Sequence, residues 1–349
     1  MKVVAFRGPG RLEIDEAPEP QPGEGEVLVA VAYCGICGSD LHEYIAHDRS
    51  PRAAGIWQPV MGHELSGVVA AVGPGVRGFR EGDPVVVHPG LHCGECPYCR
   101  RGSTNLCISP RSGTGYSRSG GYGEYVCINA AQAIPIPDAA LLKPAALSEP
   151  FGVALHAINR SGLEPGETLF ITGAGPIGLL ALLAARRQGA GAIIVSEPSA
   201  SRRELAQRLG ADAVIDPQAD EAPAKVRERT GGLGVDIAIE CAGRPKPMDD
   251  CFASIRRGGR IVVAGTFDFP YPVDLVATLI NEYSVIGSLG SVTELQEAAQ
   301  LIVSGAVDVN PIISSIIGLD EVPGVFAALV EDRSTHNKVL VQPNADLLG

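Results

Sequence analysis

Four cysteines fall within fifteen positions: Cys93-Gly-Glu-Cys96-Pro-Tyr-Cys99, and then Cys107. C-x2-C spacing turns two sulfurs toward one ion, and four thiolates fill a tetrahedral zinc shell with no position left for substrate, so the site reads as structural. An iron–sulfur cluster and disulfides are the rivals, since C-x2-C-x2-C also opens ferredoxin runs. No second cysteine group completes a ferredoxin pattern, and the spacing favours zinc. Other metal-competent residues lie in two short segments, Cys34-Gly-Ile-Cys37-Gly-Ser39-Asp40-Leu-His42-Glu43 and Gly62-His63-Glu64, with Glu149 as a third candidate further on. A catalytic zinc takes three protein ligands of mixed S, N and O type and keeps one position open. Cys37, His63 and one of Glu64 or Glu149 supply that set. Cys34 and Cys37, three apart at a strand end, point in opposite directions, so Cys34 reads as a packed thiol; Cys127, Cys241 and Cys251 read as small buried hydrophobes.

A second kind of chemistry is written in Gly173-Ala174-Gly175-Pro176-Ile177-Gly178, which matches G-x-G-x-x-G between a β run and an apolar helical run. Gly173 permits a tight turn, Gly175 lets the backbone approach a pyrophosphate, and Gly178 allows close helix-to-strand packing. The helix that follows, starting at Pro176 and Ile177, presents free N–H groups to the anion. Glu197 stands 197 − 178 = 19 residues beyond the last glycine, at the end of the next β run, where an acid accepts hydrogen bonds from the adenosine ribose. A carboxylate there repels a 2′-phosphate and favours NAD over NADP. Arg202 and Arg203 follow closely; they could meet a phosphate, or Arg202 could stack near the adenine.

The elements that position these residues divide the chain in two. Up to about residue 145 the sequence reads as short β segments between Gly and Pro, such as VLVAVAYCG, LSGVVAAVG and DPVVVHPG, which predicts a small all-β domain. From about residue 147 six β runs alternate with helices, among them LFITG, AIIVSE, VDIAIE and RIVVAG, predicting a doubly wound parallel sheet of Rossmann type. The tail carries an amphipathic helix at 293–305 and ends in the β run KVLVQP, placed to return to the first domain. The expected domains are 1–148, 149–290 and a C-terminal segment 291–349. APEPQPGEGE (17–26) reads as a surface loop before a strand.

Length and composition agree with this. The 349 residues exceed what one hydrophobic core usually serves, and 45% hydrophobic against 19% charged residues is the balance of a folding chain. Lys+Arg 28 against Asp+Glu 40 leaves −12, which repels a phosphate backbone and an anionic membrane surface. Nucleic acid and membrane are therefore not expected partners. The apolar run Ile177 to Ala185 is nine residues, where a membrane span needs about 20. The N-terminus lacks the apolar segment of a secretory signal, and clustered cysteines suit a reducing compartment, so the expected location is the cytoplasm. Glycine is over-represented at 43 residues, several of them where these sites need bare backbone.

Taken together, CGICGSDLHEY (34–44), MGHELSG (61–67), VGPGVRGFREGDPVVV (72–87), CGECPYCRRGSTNLC (93–107), GGYGEYV (120–126), LSEPFGVALHA (147–157) and GAGPIGL (173–179) resemble the zinc-dependent medium-chain alcohol and polyol dehydrogenases over essentially the whole chain. GICGSDLHEY and the Glu149-Pro150 pair carry a nearer similarity to the 2,3-butanediol dehydrogenases, and next to sorbitol and threonine dehydrogenases; liver-type alcohol dehydrogenases have Cys where Glu149 stands. The resemblance implies an α/β protein, a GroES-like β-barrel catalytic domain holding both zincs plus a Rossmann doubly wound parallel sheet for NAD.

It further implies that Cys37 and His63 are ligands of the catalytic zinc, with Glu149 at the third ligand position and Glu64 an acid that ligates directly or exchanges with it. Ser39 matches the hydroxyl that bonds the substrate oxygen and His42 the solvent-side proton acceptor; by themselves they read as a turn hydroxyl and a surface imidazole. Glu197 and Arg202 match ribose and adenine contacts, and Gly265, Thr266, Ser288 and Leu289 the backbone lining the nicotinamide side. The implied reaction moves a hydride between a secondary alcohol, a vicinal diol or polyol such as 2,3-butanediol, and NAD, giving the ketone. Threonine 3-dehydrogenase or sorbitol dehydrogenase activity is the alternative, and a non-catalytic NAD-binding zinc protein a second. Residues 43–62 lack the Gly-Gly-Pro-Ile-Phe-like stretch of butanediol dehydrogenases and place His47, Arg49 and Trp57 where they line a pocket or pack a lid. Apolar β runs such as Tyr283 to Leu289 predict pairing of subunits in a homodimer or homotetramer.

Overall fold

A computed structural model describes residues 1–46, 52, 55, 58–109, 112–268, 270–334 and 336–348. His47, Arg49 and Trp57 lie outside the described residues. The chain forms two compact units, one of Met1–Glu149 with Leu295–Gly349 and one of Pro150–Glu294.

The first unit is built on a seven-stranded sheet. Its central strand, Glu26–Gly35, is Val- and Ala-rich and buried along nearly its whole length, as befits a strand covered on both faces. It pairs antiparallel with Glu64–Val72 on one side and with Tyr125–Asn129. Pro84–Val87 and Ala133–Pro135 extend the sheet beyond Glu64–Val72. A Cβ at Gly67 would lie 2.2 Å from the Ala30 carbonyl oxygen, so only glycine lets these two strands approach. The C-terminal run Lys338–Val341 joins the same sheet, setting Leu340 opposite Gly35 and Val341 opposite Cys34. It thereby brings Lys338 to the end of the central strand, where Cys37 and the helix Gly38–Ile45 follow. Val4, Val29, Val31, Leu65, Tyr122, Phe326 and Val341 are among the buried side chains of this core.

The second unit is a six-stranded, wholly parallel sheet. Its spatial order is Ala213–Ile215, Ile193–Ser196, Leu169–Thr172, Val235–Glu240, Ile255–Val263 and Ser284–Gly287. Numbered along the chain this is 3-2-1-4-5-6, the dinucleotide-binding order whose crevice opens at the carboxyl ends of the strands. The strands are short and nearly continuous in Ile, Val and Phe because helices cover both faces. Leu169–Thr172 leads through Gly173 into the helix Pro176–Arg187, which starts on Gly175 with proline in its first turn, where a missing N–H is harmless. Among the described residues no helix is long and apolar enough to cross a membrane.

Candidate functional site

The helix Gly38–Ile45 opens on Cys37, whose backbone N–H donates to Asp40 Oδ2 at 3.0 Å. Cys37 is thus held at a helix start with its thiol beside the strand end that carries His63 and Glu64. Ligand atoms of Cys37, His63 and Glu64 all lie within 4.8 Å of one another. Gly62, at φ +94°, makes the turn; a Cβ there would lie 2.7 Å from Cys34 Sγ and from the Tyr122 ring. Cys34 is buried and stands outside this group, its Sγ donating to the Gly35 carbonyl at 3.8 Å.

His63 is buried with its two nitrogens in different company. Nδ1 lies 3.6 Å from Asp40 Oδ1, and Nε2 lies 3.2 Å from the hydroxyl of Tyr116. A carboxylate behind the imidazole orients the ring and raises the basicity of the opposite nitrogen. Burial by itself would lower the His63 pKa, but Tyr116, Asp40 and Cys37 drive it well above the usual histidine value. Burial likewise acts to raise Asp40, and His63 together with the Tyr122 hydroxyl at 2.7 Å holds it below the ordinary carboxylate value.

Glu64 is buried against Lys338, whose Nζ lies 2.8 and 2.6 Å from its two oxygens and donates also to the Ile36 carbonyl at 3.0 Å. Glu149, in the first turn of the helix Ser148–Ser161, stands outside the 4.8 Å group among the described residues. It nonetheless feels His63, Glu64, Lys338 and Asp40, and burial above all lifts its carboxyl to about 7. Ser39 sits in the first turn of Gly38–Ile45 with its hydroxyl 3.4 Å from that of Tyr116. His42 lies three residues on, the spacing that places two side chains on one helix face. Asp40, Tyr116, Tyr122 and Lys338 are side chains of this site that sequence reasoning assigned no part.

The four remaining thiols converge in a loop of the same unit. Cys93 Sγ lies 3.8 Å from Cys99 Sγ and 3.5 Å from Cys107 Sγ. These spacings exclude S–S bonds, and they match the edge of about 3.8 Å of a tetrahedron of sulfurs each about 2.3 Å from zinc. Backbone N–H groups aim at the sulfurs, from Cys96 to Cys93 at 3.3 Å and from Cys99 to Cys96 at 3.4 Å. Such donors, first of all the Cys99 N–H, draw the Cys96 thiol down to about 6, while burial pushes the neighbouring Cys99 thiol up to about 12, so the cluster favours a thiolate at Cys96 first. The donor sets therefore fit zinc at both places: four sulfurs closed on themselves, and a mixed S, N and O group.

In the second unit Gly173 adopts φ +90°, and a Cβ on Gly178 would lie 1.9 Å from the Gly173 carbonyl oxygen. Nothing lies within 4 Å of a Cβ built on Gly175, so that face of the loop is open. Pro176 and Ile177 form the half-buried first turn of the helix. Glu197 is buried at the end of Ile193–Ser196; its carboxylate accepts from Ala174 N at 2.7 Å and from Ser199 N at 3.0 Å. The acid thus ties the glycine loop to the next strand. Arg203 turns inward, donating to the Glu197 and Pro198 carbonyls and pairing with Asp216 at 2.9 Å, while Arg202 is half-buried beside it. Gly265 closes on Gly243 and Glu240, and Thr266 is exposed. Ser288 N donates to the Val263 carbonyl at 3.0 Å, and Leu289 is exposed.

Two family models match the chain. Residues 23–138 match the alcohol dehydrogenase GroES-like domain, and residues 176–304 the zinc-binding dehydrogenase domain. The sorbitol dehydrogenase of Bacillus subtilis is 33% identical over 347 residues, 99% of this chain and 98% of that one. The (R,R)-butanediol dehydrogenase of Neisseria gonorrhoeae is 32% identical over 355 residues, 99% of this chain and 100% of that one. Among solved structures, a zinc-binding dehydrogenase from Sinorhizobium meliloti bound to NADP superposes with a TM-score of 0.87 at 33% identity, covering 98% of this chain and 99% of that one.

Proposed function

Because this chain belongs to the zinc-dependent alcohol and polyol dehydrogenase family, we propose that it transfers a hydride between a secondary alcohol, a vicinal diol or polyol, and NAD. The observation that carries this reading is the convergence of Cys37, His63 and Glu64 beside the Ser39 hydroxyl, a mixed donor set next to a proton acceptor. When bound, zinc supplies Lewis acidity toward an alcohol oxygen and NAD the hydride acceptor.

The residues of the chain do the rest. Cys37, His63 and either Glu64 or Glu149 hold the catalytic ion, and Asp40 orients the His63 ring from behind. Ser39 accepts the hydroxyl proton of the substrate and His42, on the same helix face, carries it toward solvent. Cys93, Cys96, Cys99 and Cys107 hold the structural ion. Gly173, Gly175 and Gly178, with Pro176 and Ile177 opening the helix, cradle the pyrophosphate, and Glu197 and Arg202 engage the adenosine end. Gly265, Thr266, Ser288 and Leu289 supply the nicotinamide side. The S. meliloti relative binds NADP; here the buried Glu197 carboxylate and the inward-turned Arg203 disfavour a 2′-phosphate, so NAD is the proposed cofactor.

The homo-oligomer is proposed on the second unit's edge. Ser284–Gly287 ends the sheet, and Leu275 and Leu279 on the helix Leu275–Asn281 are 74% and 78% exposed, with Val276, Ile280 and Leu289 also bare. An apolar patch of this kind beside an unpaired strand edge is what a second copy covers. Nine cysteines without a disulfide fit a reducing compartment such as the cytoplasm.

The test is a panel of vicinal diols, polyols, threonine and simple secondary alcohols, assayed with zinc-loaded protein by NADH absorbance. Turnover of one of these classes with NAD supports the reading. A zinc-replete chain that oxidises none of them overturns it in favour of an NAD-binding zinc protein without catalysis.

A further inference from the structure

The loop between the strand Ser112–Gly113 and Gly121 delivers one side chain to the site for which the proposed chemistry has no use. Tyr116 places its hydroxyl 3.2 Å from His63 Nε2 and 3.4 Å from Ser39 Oγ, with its ring 4.9 Å from the imidazole and tilted by 33°. The loop is fastened on all sides. Tyr116 N donates to the Gly113 carbonyl at 2.9 Å, and its own carbonyl accepts from Gln58 N at 2.8 Å. Gly115, at φ +79°, lies so close that a Cβ there would stand 2.6 Å from the Gly62 carbonyl oxygen and 3.1 Å from His63 Cβ. Arg52 Nη2 donates to the Gly115 carbonyl at 2.6 Å. The phenol is therefore positioned by the same backbone that positions His63.

Ser39 alone serves the reacting hydroxyl of a substrate, so a secondary alcohol with a single oxygen has nothing to offer a second hydroxyl beside it. A substrate with another oxygen on the neighbouring carbon does. Resting on the dehydrogenase reading above, we propose that Tyr116 is a specificity-determining residue: its hydroxyl hydrogen-bonds the second oxygen of a vicinal diol or polyol while Ser39 bonds the reacting one. A bond made only to the second oxygen adds affinity for the substrate that carries that oxygen and none for the analogue without it. The chain thus selects 1,2-oxygenated substrates over simple alcohols through this loop.

The decisive comparison uses the zinc-loaded full chain, a vicinal diol and the monoalcohol with the same carbon skeleton. Tyr116→Phe should lower the ratio of kcat/KM for the diol to that for the monoalcohol about tenfold or more, mostly through KM for the diol. Calorimetric binding of the diol to the protein–NADH complex should weaken by a similar factor, with zinc content and melting temperature unchanged. Ser39→Ala should instead depress both substrates alike. Equal loss on both substrates in Tyr116→Phe, no loss on either, or loss of zinc overturns the proposal, since the phenol would then act on the reacting oxygen, on nothing, or on the metal site. If the wild-type chain forms NADH from neither alcohol, the dehydrogenase reading itself has failed, and that is seen before any variant is compared.

Discussion

Lys338 and Glu64, 274 residues apart in sequence, form a fully buried ion pair in which one ammonium spans both carboxylate oxygens. Glu64 also belongs to the group that could hold a metal. An ion held by Cys37, His63 and Glu64 would have to draw these oxygens away from the ammonium of the C-terminal strand. Burial by itself would lower the Lys338 pKa, but Glu64 first, then Cys37, keep it above the usual lysine value, so the ammonium stays charged.

Removing one partner strands the other charge in the core. Lys338→Met should destabilise the chain by about 3–5 kcal/mol, and Glu64→Gln in the same background should recover a large part of that. Urea unfolding of both singles and the double variant measures the coupling. If the double variant loses the sum of the two singles, the pair carries no coupling energy.

The metal sites separate cleanly by substitution. Wild-type protein should contain two zinc ions per chain. Cys96→Ser should lose one of them and lower the melting temperature, because a closed thiolate shell contributes folding energy outright. Cys37→Ala should also lose one, abolish turnover and leave NAD binding intact. Metal analysis beside a melting curve reads both, and full turnover with a single zinc in Cys37→Ala removes Cys37 from the reaction.

Two glycines of the nucleotide loop should respond differently to the same methyl group. Gly178→Ala pushes a Cβ to 1.9 Å from the Gly173 carbonyl oxygen, so both stability, by about 1–3 kcal/mol, and NAD affinity should fall. Gly175→Ala meets open space, so stability should hold while NAD affinity drops, if the pyrophosphate approaches that backbone. Calorimetric titration with NAD decides it; unchanged affinity in Gly175→Ala places the pyrophosphate elsewhere.

Much of this architecture is legible in the sequence because its determinants are local. The β runs of the second unit, the turn at Gly173 and the Cys93–Cys107 loop each declare themselves within about fifteen positions, through periodicity, glycine chemistry or ligand spacing. Cys37, His63 and Glu64 come together because two adjacent strands end side by side, which short motifs anticipate. Tyr116 and Lys338 are different. Tyr116 lies in GTGYSRSGG, a stretch with no period, and its meaning depends on a backbone approach to Gly62 that no local pattern encodes. Lys338 reads as the polar start of an apolar strand; only the pairing of that strand with Glu26–Gly35 reveals a buried cation. Glu197 was legible as an acid at the end of the second β run, but not as the acceptor that ties Ala174 to Ser199.

A final prediction concerns Glu240, which ends the strand Val235–Glu240 fully buried. One oxygen accepts from Ala242 N at 2.9 Å and Gly243 N at 2.7 Å, while Oε2 has no hydrogen-bond partner among the described residues. Burial, the largest influence, raises its pKa above the ordinary 4.5 despite the N–H donors. The folded chain therefore binds a proton at Glu240 that the unfolded chain has released, and stability falls as pH rises from 4.5 through the folded-state pKa. Glu240→Gln keeps an acceptor for Ala242 and Gly243 but cannot ionise. Its stability should lose less over that pH window than the wild type does, so the difference between the two, followed by thermal melts, should grow with pH in favour of the variant. A difference that stays constant across the window would show that Glu240 titrates alike in the folded and unfolded chain.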